Sequence, residues 1–148
     1  MPQGRSIDPS FPTKLKFDVW DTAGQDDYIV INKLHFQGAH CVIITFAVDS
    51  PKSFSSVENH YNNIKQICDE NALIVLVGNK CDLDARYIQF DDLAQKADDL
   101  SIQMYLETSA LPERRETIDQ LFTEIAVKLC EMQIKPKHPS VKLTNPQR

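Results

Sequence analysis

The chain has 148 residues, 42% hydrophobic and 25% charged, which fits one globular domain with an ordinary core. Its net charge of −5 and pI near 5.3 argue against a nucleic-acid groove, and its four cysteines form neither a C-x-x-C pair nor a metal-ligand spacing. The first residues lack an apolar signal region and no run reaches membrane-spanning length, so reduced thiols in a cytoplasmic protein are expected.

Residues 1–13 carry Pro2, Pro9 and Pro12 and are expected to be irregular. Residues 16–20 read as a strand, followed by Asp21, Thr22, Ala23, Gly24 and Gln25. An aspartate at a strand's end can hold Mg²⁺ through water, and a glycine lets a backbone N–H approach a terminal phosphate. A glutamine just beyond can orient a water for in-line attack. An ordinary Asp/Gly turn accounts for the same residues without chemistry. The segment 26–34, opened by Asp26 and closed by Leu34, contains Tyr28, Ile29, Val30 and Ile31 and is more apolar than a solvated loop needs. Residues 41–48 form a buried strand in which Cys41 is a small core residue.

Ser50 and Pro51 open a helix whose Phe54, Val57, Tyr61, Ile64 and Ile67 recur at helical spacing and face the sheet. His60 is read as a surface polar side chain. The apolar run 73–78 is a buried strand, and Asn79-Lys80-Cys81-Asp82 stands at its carboxyl end. An aspartate there can accept from the N1–H and exocyclic amine of guanine, a pair adenine cannot offer. Asn79 can hold the purine's other edge, and the Lys80 stem can cover the ring face. Discrimination is strong because the wrong base leaves polar groups unpaired.

Asp91 and Asp92 start a helix with Leu93, Ala94, Ala97 and Leu100 inward, where the helix dipole explains the acids without a metal. A strand over 102–106 leads to Glu107-Thr108-Ser109-Ala110, where a backbone N–H beside a small residue can meet the guanine carbonyl oxygen. Thr117 with Gln120 reads as a capping box, and Ile118, Leu121, Phe122, Ile125, Leu129 and Met132 form the stripe of the last helix. Pro136 and Pro139 end it. The tail 135–148 holds Lys135, Lys137, Lys142 and Arg148 and no acid. It therefore carries +4, which leaves −9 of the chain's −5 to the remainder. It reads as disordered, with at most weak peripheral contact to an anionic membrane, and has no cysteine for a prenyl anchor.

Three loops in this order, each at a strand's carboxyl end, resemble the Ras superfamily of small GTPases from about residue 14 to 132. The resemblance implies an α/β, P-loop NTPase-like fold, a mostly parallel sheet flanked by helices and truncated at the amino terminus. The expected divisions are an irregular segment 1–13, a GTPase-like domain 14–134 and the tail 135–148. GTP or GDP with Mg²⁺ are the implied ligands. Nucleotide contacts are implied for Asp21, Thr22, Ala23, Gly24, Gln25, Asn79, Lys80, Asp82, Ser109, Ala110 and Leu111. Asp21 holds Mg²⁺ through water and Gln25 is the catalytic, water-positioning residue. Effector, exchange-factor and GTPase-activating proteins are expected on 26–34. The stretches 24–28, 49–54 and 105–111, with Leu111 in place of lysine, look most like the Rho/Rac branch and imply cytoskeletal signalling. Against that branch, residues 83–106 leave no room for the Rho insert, a spacing like that of Ras or Rab relatives.

The sequence contains no G-x-x-x-x-G-K-[ST] run, the phosphate loop of this class. Nor do Ser6, Ser10 or Thr13 stand in a context suited to a Mg²⁺ ligand. Losing three or four charge-assisted N–H bonds, at roughly 1.5–3 kcal/mol each, removes on the order of 6 kcal/mol, or four decades of affinity. The residues present are therefore expected to bind nucleotide weakly or not at all. The alternatives are a nucleotide-free protein-interaction module and a Rab-like trafficking GTPase fragment. The absent first strand is also expected to leave the strands at 16–20 and 41–48 short of a ladder partner.

Overall fold

Two seven-residue runs rich in branched apolar side chains build the sheet: β1, Cys41–Ala47, and β2, Leu73–Asn79. The computed structural model describes residues 14–22 and 36–132. The expected irregular segment 1–13, Ala23, Gly24 and Gln25, the 26–34 segment and the tail 135–148 lie outside these residues. Between and after the strands come α1 (Pro51–Ser55), α2 (Val57–Ile67), α3 (Phe90–Asp99), β3 (Met104–Glu107), a 3₁₀ turn at Pro112–Arg114 and α4 (Arg115–Glu131).

The three strands are parallel in the order β1-β2-β3. Ala47 pairs with Asn79 and Gly78 with Glu107, so all three strands end at one edge of the sheet. Alternation decides what each face covers. Val42, Ile44, Phe46 and Leu76 pack with Val57 and Ile64 of α2 and with Leu93 and Ala97 of α3. Leu73, Val75 and Val77 face Leu121 and Ile125 of α4 on the other side. A helix layer on each face of a parallel sheet is the arrangement expected of near-continuous apolar strands. Gly78 serves this packing, since a Cβ there would lie 3.1 Å from the Phe46 ring.

Helix starts follow local chemistry. The Ser50 hydroxyl accepts from Ser53 N at 3.2 Å, with Pro51 in the first turn. At Ser55 and Ser56 both hydroxyls bond back to Lys52 O, and the helix breaks between α1 and α2. α3 begins at Phe90, one residue before the expected aspartates, because the Asp92 carboxylate accepts from Gln89 N at 2.8 Å.

Several expectations are corrected. Residues 16–20 are not a strand: they form no ladder, and among the described residues no strand lies beside β1 on the edge away from β2. Phe17 instead packs edge-on against Phe122 at 5.5 Å, while Val19 and Trp20 are each 68% exposed. The third strand covers Met104–Glu107, displaced from 102–106 by the turn that buries Ile102. Thr117 does not cap the last helix, which starts earlier because the 3₁₀ turn leads directly into Arg115. Met132, expected inward, is exposed at the helix end.

Candidate functional site

The shared edge of the sheet brings together the loops that follow β1, β2 and β3. In parallel α/β sheets this carboxyl edge is where ligands bind. The loop after β2 turns through Lys80 at φ +64, closed by Leu83 N donating to Lys80 O at 3.1 Å. Lysine in the left-handed region is held by its surroundings. Val48 N donates to Asn79 O at 3.0 Å on one side, and Cys81 N donates to Thr108 O at 3.0 Å on the other.

Side chains complete the lock. Ser109 Oγ donates to Asp82 Oδ1 at 2.5 Å, and Thr108 Oγ1 donates to Asn79 Oδ1 at 3.2 Å. Ser109 N donates to Thr117 Oγ1 at 2.9 Å, and that hydroxyl in turn donates to Arg114 O at 2.8 Å. Thr117 thus fastens the Ser109 loop to the first turn of α4. Thr108 and Ser109 are buried, and Ala110 and Leu111 next to them are exposed. The structure therefore places Asn79, Asp82 and Ser109 in one hydrogen-bonded cluster, with Lys80, Ala110 and Leu111 at its rim. Asp21 and Thr22 make no hydrogen bond to this cluster among the described residues, and Ala23, Gly24 and Gln25 lie outside them.

Other contacts brace the site. The Arg86 guanidinium pairs with both oxygens of Glu107, one of them 3.3 Å from Nη1, and Arg86 Nε donates to Ile88 O at 2.8 Å. Its hydrogen bond to Glu107 holds the guanidinium firmly protonated, above its ordinary range. Lys80 Nζ lies 3.1 Å from Asp49 Oδ2. Burial pushes the Cys81 thiol up within the loop. Sequence reasoning did not find Thr117's role, the Arg86–Glu107 pair or Asp49. No local spacing links 49 with 80 or 86 with 107; only the strand register brings them together.

The donor set fits a guanine. Asp82 Oδ2 takes no hydrogen bond, and the Ala110 N–H finds no acceptor, among the described residues. Among those residues no group of three or more His, Cys, Asp or Glu could hold a metal ion. An open hollow of about 390 Å³, lined by Ala94, Asp98, Ser101, Ile102, Gln103 and Tyr105, lies at the opposite end of β3 and shares no residue with the cluster. Among the described residues no helix is long and apolar enough to cross a membrane.

A parallel sheet with an Asn-Lys-x-Asp loop locked to a Ser-Ala loop over its carboxyl edge defines a small-GTPase type of domain. Residues 7–131 match the Ras family, and the chain belongs to it. It is 35% identical over 119 residues to Ras-related protein Rab-3 of Caenorhabditis elegans, covering 80% of this chain and 53% of that protein. It is 33% identical over 128 residues to human Ras-related protein Rab-3D, covering 86% and 57%. It is 32% identical over 122 residues to the GTP-binding protein ypt2 of Schizosaccharomyces pombe, covering 82% and 60%. The chain spans little more than half the length of these relatives. Two carry Rab names and none a Rho name, which corrects the Rho/Rac expectation and the cytoskeletal signalling drawn from it. The short spacing between the two loops agrees with the Rab names: α3 is the one helix between Asp82 and Ser109.

Proposed function

We propose that the chain carries the guanine-recognising end of a Rab-type small GTPase, a molecular switch that binds GTP or GDP and acts in membrane traffic. The observation behind this reading is the Ser109–Asp82 clamp. It fixes a carboxylate whose second oxygen, like the nearby Ala110 N–H, has no hydrogen-bond partner among the described residues. Oδ2 and the second lone pair of Oδ1, with the Ala110 N–H as donor, complement the N1–H, exocyclic amine and O6 of guanine. Adenine would set its N1 acceptor against the carboxylate and its amine against the N–H, leaving both unpaired.

Within this reading Asn79 holds the other purine edge, the Lys80 stem covers the ring face, and Thr22, Ala23 and Leu111 are further nucleotide contacts. Asp21 would hold Mg²⁺ through water, Gly24 would contact the terminal phosphate and Gln25 would position a water. Bound Mg²⁺ would neutralise phosphate charge. Effectors, exchange factors and GTPase-activating proteins engage 26–34. A second reading is a nucleotide-free module that binds proteins on the same α/β surface.

The test is a titration of the purified chain with a fluorescent GDP analogue, together with analysis of nucleotide released on denaturation. The expected result is guanine-selective binding, weaker than micromolar and removed by Asp82→Ala. No binding at millimolar ligand, with no nucleotide released, would decide for the second reading.

A further inference from the structure

The loop after β2 is tied in two directions. Towards β3 it is held through Asp82 and Cys81, and towards β1 through Asn79 and Lys80. The tie towards β1 ends on Asp49, two residues beyond the end of that strand. Its Oδ2 lies 3.1 Å from Lys80 Nζ, with the two side chains 31% and 51% exposed. Oδ1 of the same carboxylate is sealed from water and meets no donor among the described residues. A carboxylate with one oxygen so isolated depends on its remaining partner, and that partner is the Lys80 ammonium. Lys80 also leaves the chain from a left-handed backbone position, which restricts the direction its stem can take.

Resting on the guanine reading above, we infer that Asp49 is a positioning residue of the nucleotide site. It anchors the far end of Lys80, so the four methylenes stretch from the end of β2 towards β1 as a fixed wall for the purine face. A free lysine would have to be ordered when the base arrives; one already anchored is ordered beforehand, and binding gains by the difference. Asp82 selects the base and Asp49 acts only through Lys80.

The experiment combines carbon-resolved proton NMR of Lys80 with GMP titration of the full chain. Anchoring makes the two Hε protons of Lys80 inequivalent, and this signature in the unsubstituted protein requires neither a variant nor a ligand. Asp49→Asn should merge them and weaken GMP binding about threefold, the range of a partly exposed ion pair. Adding Asp49→Asn to Lys80→Ala should cost no further affinity. Equivalent Hε protons in a chain that binds GMP would overturn the inference alone, as would additive losses in the double variant. Inequivalent protons without GMP binding would overturn the guanine reading, and this inference with it.

Discussion

Ser109 Oγ and Asp82 Oδ1 stand 2.5 Å apart although 27 positions separate them in sequence. The parallel register makes this possible by ending β2 and β3 at one edge, and the buried Ser109 then holds the half-buried carboxylate from behind. The same hydroxyl accepts from Leu111 N at 3.2 Å, so a single oxygen fixes the carboxylate and shapes the loop beside it.

Ser109→Ala removes both bonds. Leaving partly buried partners unsatisfied should cost about 1–3 kcal/mol of stability in urea unfolding. Base selectivity should fall with it, because Asp82 is no longer held. Full stability and unchanged selectivity would show that the clamp contributes nothing.

Gly78→Ala places a methyl 3.1 Å from the Phe46 ring, where Val48 and Leu93 follow at 3.5 and 3.6 Å. Phe46 is 2% exposed and has little room to move. Overpacking of this kind should cost about 1–3 kcal/mol, and Phe46→Leu in the same chain should recover part of it. Equilibrium unfolding of the three proteins tests this.

Arg86 and Glu107 act as a unit across the site. Arg86→Ala strands a carboxylate that is 18% exposed, so each single substitution should cost more than half of the double. A coupling of roughly 1–3 kcal/mol is expected from the double-mutant cycle. Hydrogen exchange should also quicken at Tyr87 and Ile88, whose N–H groups both donate to Val48 O.

Among the described residues, the strands ending at Ala47 and Asn79 and the helices at 57–67, 90–99 and 115–131 were legible in sequence, because their apolar spacing is local and regular. What was not legible depends on long-range pairing. Residues 16–20 alternate like a strand, yet alternation makes a strand only beside a partner, and Phe17 found Phe122 instead. Thr117 and Gln120 match a capping box in spacing, but Ser109 N takes the hydroxyl and a 3₁₀ turn starts the helix earlier. Asn79, Asp82 and Ser109 were legible as candidates from motif chemistry. The contacts that hold them were not.

Burial pushes the Cys41 thiol up to about 12 from an ordinary value near 9. Its folded value is raised, so its contribution is fully present below about pH 9 and is lost as pH climbs towards 12. Cys41→Val should flatten the fall in stability over that window relative to the unsubstituted chain. Parallel alkaline unfolding curves for the two proteins would contradict this.

The most direct test of base recognition at the clamp is an NMR titration of the full chain with GMP and AMP, using backbone amides as reporters. GMP should shift the amides of Asp82, Ser109 and Ala110 in a saturable way, and AMP at the same concentration should leave them in place. Equal shifts with both nucleotides, or GMP shifts confined to the hollow at Ala94, Asp98 and Tyr105, would contradict it.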